Sequence, residues 1–124
     1  MNKSVNHVNT MFSAIEQGDM DTFKACFTPD GVVWHNSDEI EQAIDDVCTG
    51  LAQLHAASTK LTYEDQRIVR ADNLYFVQHV LTAPLKSGGM MRLPAMMRIE
   101  TNGEGLITRL DEYFDSRATD CLMP

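Results

Sequence analysis

The spacing of the apolar residues changes once along this chain, and that change constrains the fold more than any other feature. Before Ser58 the apolar residues recur every three or four positions, as on one face of a helix, whereas from Ser58 they alternate with polar residues, as in β-strands. Helices followed by a series of strands are typical of an α+β domain, in which the helices cover one face of an antiparallel sheet. A chain of 124 residues is expected to form one such domain, residues 1–124.

The first half of the chain predicts three helices. Gly18 is expected to end the first helix in a left-handed conformation, and Asp19 to cap a short second helix. Asp38 followed by Glu41 has the spacing of a capping box and predicts the start of a third helix. The apolar faces of these helices are, in order, Val5, Val8, Met11, Phe12 and Ile15; Met20, Phe23 and Phe27; and Ile40, Ala43, Ile44, Val47, Leu51 and Leu54.

The remaining segments predict strands joined by turns. A turn over residues 28–31 is expected to lead into a short strand over 32–36. The longer strands are predicted at 58–69, 73–84, 89–101 and 105–115.

Alternation within these strands predicts which side chains face the core. In the strand at 32–36 it places Trp34 and Asn36 on one face and His35 on the other, so His35 is expected to point away from a pocket that contains Trp34. In the last strand the more apolar set contains Glu112, which is therefore an unusual inward carboxylate. The inward set is clearest at 89–101, with Met91, Leu93, Ala95, Met97 and Ile99.

The charge balance excludes several classes of partner. Ten Lys and Arg against 18 Asp and Glu give a net charge of −8, which disfavours nucleic acids and anionic membranes as partners.

No apolar run approaches the roughly 18 residues of a membrane-spanning helix, and the first residues contain no apolar signal core, so a cytoplasmic protein is expected. The three cysteines are far apart and form no ligand pattern, and we expect neither a metal nor a cofactor.

Three stretches of sequence, in this order, resemble a known superfamily. They are FSAIEQGD at 12–19, FTPDGVVWHN at 27–36 and GLITRLDEYFD at 105–115. Over about residues 4–116 the chain resembles the SnoaL-like branch of the nuclear transport factor 2-like superfamily, which includes ketosteroid isomerase, limonene epoxide hydrolase and SnoaL polyketide cyclase.

The resemblance implies a cone-shaped fold. Three N-terminal helices would pack on a strongly curved, mostly antiparallel sheet, around a pocket for a small apolar molecule. The resemblance also implies a homodimer formed through the outer face of the sheet. In the strand at 73–84, whose orientation periodicity leaves open, it places Tyr75, Val77, His79 and Leu81 inward.

The catalytic pattern of limonene epoxide hydrolase is only partly present. Its Tyr-x-Asn pair falls on Trp34 and Asn36, its Arg and first Asp on Val77 and His79, and its second Asp on Glu112. The ketosteroid isomerase pattern fits less well. Its base falls on Asn36, and its two oxyanion-binding residues fall near Met11 and Ala95, so the isomerase's own chemistry is not expected.

The inward polar residues predict an active site made of His79, Glu112 and Asn36. His79 would be the base, Glu112 would orient its ring, and Asn36 would bind the substrate, either in a hydrolase that activates water or in an isomerase that removes a proton from carbon. The predicted substrate-binding residues are Trp34, Tyr75, Val77, Leu81, Leu93, Met97, Leu110, Phe114 and Met11.

The alternative is a domain of the same fold that binds a small ligand or another protein without catalysis. Two observations favour this alternative. Neither catalytic set is complete, and a His79–Glu112 pair could simply satisfy two buried polar groups.

Overall fold

Three α-helices, six strands and one 3-10 helix make up the part of the chain that the computed structural model describes, residues 6–122. The elements are α1 (His7–Gln17), α2 (Met20–Ala25), β1 (Phe27–His35), β2 (Glu41–Ala43), α3 (Ile44–Ala57), β3 (Thr62–Ala71), β4 (Leu74–Pro84), β5 (Met90–Thr101), β6 (Ile107–Phe114) and a final 3-10 helix, α4 (Ser116–Leu122). The strands form one curved, open sheet in the order β2-β1-β6-β5-β4-β3. All neighbours are antiparallel except β1 and β6, so the predicted α+β architecture is confirmed.

The first helix ends and the second begins where their capping residues predict, but α2 ends at Ala25, so Phe27, predicted on its apolar face, begins β1 instead. Gly18 ends α1 with φ 73°, and its N–H donates to the last carbonyls of the helix. The Asp19 carboxylate accepts from the Thr22 N–H at 3.1 Å and starts α2. A Cβ on Gly18 would come within 2.7 Å of the His55 ring, so glycine also lets α3 approach this corner closely. Val5, predicted on the face of α1, lies outside the described residues.

The long antiparallel strands show the predicted alternation. Val77 is paired with Met97 and His79 with Ala95, and all four side chains are buried on the inner face. Tyr75 and Leu81 share that face, so the predicted orientation of β4 is confirmed. The inner face packs against α1 and α2 through fully buried residues, which include Val8, Met11, Phe23, Met91 and Ile99.

Two predictions in the region between α2 and α3 are wrong. Residues 28–31 do not reverse the chain. They lie within β1, where the register with β6 shifts between Phe27 and Val32, so the Pro and Gly mark an irregular strand instead of a turn.

Asp38 does not cap the third helix. Its side chain accepts from the Ile40 N–H at 3.0 Å in a tight bend, and Glu41–Ala43 then pairs with β1 as strand β2. Hydrogen bonds to β1 therefore outweigh the capping box, and α3 begins only at Ile44, after Ala43. Ile40 is left 56% exposed, outside the apolar face predicted for it.

None of the helices within the described residues is long and apolar enough to cross a membrane.

Core packing at the centre of β5 should dominate the stability of the fold. Ile99 is completely buried, so Ile99→Ala should lower the free energy of unfolding by about 2–5 kcal/mol through lost burial and a cavity. Ile40→Ala makes the same chemical change at an exposed position and should cost about 0.5 kcal/mol or less. Urea unfolding followed by circular dichroism measures both, and equal losses would contradict this assignment of the core.

Candidate active site

A narrow apolar cavity of ≈ 190 Å³ lies between the inner face of the sheet and the helices. Helix α3 contributes Val47, Leu51 and Leu54, and β5 contributes Met91, Leu93 and Met97. The other lining residues are Met11, Ile15, Phe23, Val33, His35, Tyr63, Leu81, Leu110, Glu112, Phe114, Thr119 and Leu122. A cavity with an apolar wall and few polar groups is the usual form of a small-molecule site.

Two of the polar lining residues form an ion pair. Nε2 of His35 lies 3.1 Å from Oε1 of Glu112, and the two side chains are only 24% and 15% exposed. The Phe114 ring meets the His35 ring edge-on, with their centroids 5.9 Å apart, and so restricts its orientation. The pair is therefore held in place beside space that a ligand could fill.

The pairing of β1 with β6 brings these two residues together. The strands run parallel, and the register places His35 opposite Glu112 and Val33 opposite Leu110. All four side chains line the cavity, because residues two apart on a strand share a face. The backbone extends the same register one residue further, where the Asn36 N–H donates to the Glu112 carbonyl at 3.0 Å.

The ion pair changes the ionisation of His35. The hydrogen bond to the Glu112 carboxylate raises the pKa of His35, against the opposing effect of burial, and the charges of Glu112 and Asp38 raise it further. The imidazole therefore holds its proton to a higher pH than a free histidine, and it balances the negative charge of Glu112 inside the cavity.

Tyr63 is the third polar residue of the cavity wall. Its ring meets the Phe12 ring edge-on at 4.9 Å, and its backbone N–H donates to the Glu16 carboxylate at 2.8 Å. Burial raises the pKa of Tyr63 well above its usual value, and the carboxylates of Glu112 and Glu16 add to this effect. The phenol is thus a fixed, protonated donor, and its hydroxyl has no hydrogen-bond partner among residues 6–122.

His79 lies on the inner face but does not bond to Glu112. Strand β5 separates β4 from β6, so the backbones of β4 and β6 are about 10 Å apart. His79 and Glu112 are also not level, because His79 pairs with Ala95 whereas Glu112 pairs with Met97. The His79 ring instead lies 4.6 Å from the Tyr63 ring, and its Nδ1 is 3.4 Å from Nε2 of Gln66. The predicted His79–Glu112 contact is therefore wrong, because β5 lies between the strands that carry the two residues.

The environment of His79 keeps its ring neutral. The side chain is 2% exposed, and burial lowers the pKa of His79 more than the nearby Glu112 charge raises it. Its Nε2 is buried with no hydrogen-bond partner within the described part of the chain. His79 does not line the cavity that contains Glu112, so it serves as packing behind Tyr63.

Asn36 and Trp34 also differ from their predicted positions. The Asn36 side-chain oxygen accepts from the Phe114 N–H at 3.0 Å and thereby fastens the end of β1 to β6. Trp34 lies on the outer face of the sheet, where its ring is 5.3 Å from that of Tyr113. The inward face of β1 carries Val33 and His35 instead, so the alternation was predicted correctly but its direction was wrong.

Most of the predicted wall residues do surround the cavity. Tyr75 and Val77 also point inward, but they do not line the cavity, because they lie nearer the start of β4. The Arg70 guanidinium lies over the Tyr75 ring, 5.3 Å from its centroid. The predicted residues that line the cavity are Met11, Leu81, Leu93, Met97, Leu110 and Phe114, together with Glu112.

Sequence reasoning missed His35 and Tyr63. His35 was expected to point away from the pocket, since the resemblance placed Trp34 inward and alternation puts His35 on the other face. Val33, on the face of His35, is as apolar as Val32, on the face of Trp34, so alternation alone supported either face as the inward one. Tyr63 had a usable signal, since Leu61 and Tyr63 alternate with polar residues in the segment at 58–69.

No three His, Cys, Asp or Glu side chains within residues 6–122 are grouped so that they could hold a metal ion.

The sequence matches the SnoaL-like domain family over residues 8–110. Most of the chain is covered, and the protein therefore belongs to the SnoaL-like domain family. No curated protein sequence matches the chain.

Solved structures share this fold at low sequence identity. A protein of ketosteroid isomerase-like fold from Catenulispora acidiphila, in complex with trimethylamine, is 16% identical, with a TM-score of 0.75 and coverage of 91% of this chain and 88% of that chain. A proposed polyketide cyclase from Xanthomonas campestris pv. campestris is 17% identical (TM-score 0.76; 90% and 89% covered). A proposed isomerase from Bacillus subtilis is 13% identical (TM-score 0.77; 96% and 93% covered). These identities establish the fold and not the reaction.

The two inward histidines should titrate on opposite sides of the ordinary histidine pKa of 6.5. Because the His35 pKa is raised, His35 adds stability below pH 6.5 that is lost as the pH rises through its folded-state pKa. The His79 pKa is lowered, so its contribution is present above pH 6.5 and is lost as the pH falls through its folded-state pKa. Imidazole NMR titration measures both midpoints.

Glu112→Gln provides the matched control for this titration. It removes the main cause of the raised His35 pKa and should move the His35 midpoint down much further than the His79 midpoint. A His35 midpoint at or below 6.5 in the unmodified protein would show that the ion pair does not form in solution.

Proposed function

We propose that this chain is a SnoaL-type enzyme that transfers a proton on a small, largely apolar molecule, in an isomerase- or cyclase-type reaction. The observation that carries this proposal is the His35–Glu112 ion pair, 3.1 Å long, in the wall of an apolar cavity. A carboxylate in such surroundings is costly unless it is paired, and pairing one of its oxygens leaves the other available to act.

In the proposed reaction Glu112 is the base. Its oxygen that does not face His35 takes a proton from a substrate carbon, and the electron pair of the broken C–H bond remains on the substrate. The Glu112 carboxylic acid, whose proton can exchange with solvent, then protonates another atom of the substrate or the same carbon, so no outside oxidant or co-reactant is needed. His35 is a positioning residue, because its hydrogen bond fixes the rotamer of Glu112 and its positive charge lies beside the carboxylate.

The surroundings of the pair favour proton transfer over hydrolysis. A hydrolase must hold a water beside the base, and Asn36, the residue predicted for that role, has its oxygen engaged by the Phe114 N–H. The rest of the wall near Glu112 is apolar, with Met97, Leu110 and Phe114 as neighbours. Structures of the same fold named as a proposed polyketide cyclase and a proposed isomerase support the same choice.

Removal of the proposed base should abolish proton exchange. Carbonyl compounds with one, two or three rings, incubated in D₂O, should lose α-proton NMR signals faster with the protein than without it. Glu112→Gln should slow the exchange of any accepted compound by about 10²–10⁴-fold, the usual contribution of a positioned base. Glu104→Gln makes the same change at an exposed loop carboxylate and should have no effect.

His35→Gln tests the positioning role separately. It should retain some exchange activity but lose the alkaline limb of the pH–rate profile that deprotonation of His35 produces. Exchange at equal rates in the unmodified protein and in Glu112→Gln would sink the catalytic proposal and favour a non-catalytic ligand-binding domain.

We also propose that the chain forms a homodimer through the outer face of the sheet. A groove of ≈ 490 Å³ on this face is lined by Phe76, Met96 and Tyr113, each of which is 40% exposed or more. Large exposed apolar side chains on a continuous surface are typical of protein interfaces. Arg98 and Glu100 form an ion pair on the same strand and could give the surface a polar border.

Placing a charge at the centre of this groove should separate the subunits. Met96→Glu should convert a dimer into a monomer in light scattering after size exclusion, because a buried unpaired carboxylate costs several kcal/mol. Met90→Glu, a change at an equally exposed methionine at the start of β5, is the control and should remain dimeric. A monomeric unmodified protein at micromolar concentration would contradict the proposal.

We further propose a cytoplasmic location. Cys26, Cys48 and Cys121 are all free thiols, which fits a reducing compartment. Secretion of the tagged full-length chain in its native host would contradict this.

A further inference from the structure

The volume of the cavity limits the size of its ligand. At ≈ 190 Å³ it is only moderately larger than an engineered cavity of about 150 Å³ that accepts benzene in another protein. One six-membered ring with a small substituent fits such a space, whereas a second fused ring would have to protrude from it or displace the wall. Most methionines and leucines of that wall belong to the buried core, and Leu51 and Leu54 of α3 pack against that core.

The charges in the cavity limit the charge of the ligand. Glu112 is balanced by protonated His35, so the pair as a whole offers no net charge to a ligand ion. An anionic ligand would meet the carboxylate, and the chain carries a net charge of −8. A cationic ligand would have to displace His35 from Glu112. The cavity therefore favours a neutral molecule.

Tyr63 supplies a hydrogen-bond donor to the cavity that contains the ion pair, close enough for the Glu112 charge to act on its phenol. It lies on β3, which is three strands from β6 and would be about 14 Å from it in a flat sheet. Tyr63 and Glu112 line one small cavity because the sheet curves, so a ligand placed there can contact β6 and the edge strand β3 together. The Tyr63 ring packs against both Phe12 and His79, which also contact each other, and its hydroxyl has no partner within residues 6–122.

We infer that the ligand of this cavity is a neutral, single-ring molecule with one acceptor oxygen, which the Tyr63 hydroxyl binds beside the His35–Glu112 pair. This assignment of the substrate class rests on the proposed function for its biological meaning, but it concerns binding and can be tested without turnover. Tyr63 is the specificity-determining residue for the oxygen, and α3 sets the limit on size.

Matched probes separate the three parts of the inference. 4-Methylacetophenone is the neutral single-ring ketone, and 4-ethyltoluene has the same shape without the oxygen. 4-Methylbenzoate and 4-methylbenzylammonium carry a negative and a positive charge on the same ring. 2-Acetylnaphthalene and 2-acetylanthracene keep the ketone and add one and two fused rings. Dissociation constants are measured by ¹H–¹⁵N NMR titration of the full chain.

The ketone should bind the unmodified protein more tightly than every other probe. Tyr63→Phe should weaken the ketone about three- to ten-fold, the value of one neutral hydrogen bond, and leave 4-ethyltoluene unchanged. Leu54→Ala, which shortens a half-buried wall residue of α3, should improve binding of 2-acetylnaphthalene relative to the single-ring ketone by roughly tenfold.

Each alternative outcome overturns a named part. Equal binding of the ketone and 4-ethyltoluene, or an equal loss of both in Tyr63→Phe, removes the role of Tyr63. Tighter binding of the ammonium probe would show that Glu112 acts as an unbalanced charge, and tighter binding of the naphthalene ketone by the unmodified protein would overturn the size limit. Glu112→Gln should still bind the ketone. If this variant binds but no longer exchanges α-protons, the proposed function is supported. If it binds and still exchanges them, the proposed function is overturned while the assignment of the ligand stands.

Discussion

The parallel pairing of β1 with β6 is the contact on which the candidate site depends. It joins the helical first half of the chain to the antiparallel second half, and it is the single parallel pair within the described strands. A shift of one residue would turn His35 and Val33 to the outer face and bring Trp34 into the cavity. Asn36 stabilises the observed register, because its backbone N–H donates to the Glu112 carbonyl and its side-chain oxygen accepts from the Phe114 N–H.

The balance of charge inside the cavity follows from that register. Glu112 meets a histidine that becomes its counter-ion, while the other inward histidine, His79, is separated from it by a strand and stays neutral. Two histidines on one inner face thus acquire opposite pKa shifts from their neighbours alone. The neutral ring packs against Tyr63, and the charged ring bonds to Glu112, so each histidine contacts a residue that lines the cavity.

Local patterns in the sequence predicted what depends on local physics. The caps at Gly18 and Asp19 and the alternation of β5 were correct, since each is determined by a few neighbouring residues. Strand β2 and the late start of α3 were missed, because a strand of three residues forms only when β1 is present to pair with it. His35 was missed for a related reason, since alternation gives two faces and only the pairing of distant strands decides which one is inward.

The wall of the cavity has one component that does not belong to the sheet or to the first three helices. Thr119 and Leu122 reach it from the 3-10 helix α4, which follows the last strand and packs beside β5. Its residues take part in no strand ladder, so substitutions there can reshape the ligand space at little cost to folding. That segment is therefore where substitutions can change which ligand the cavity accepts while the strands that hold His35 and Glu112 stay the same.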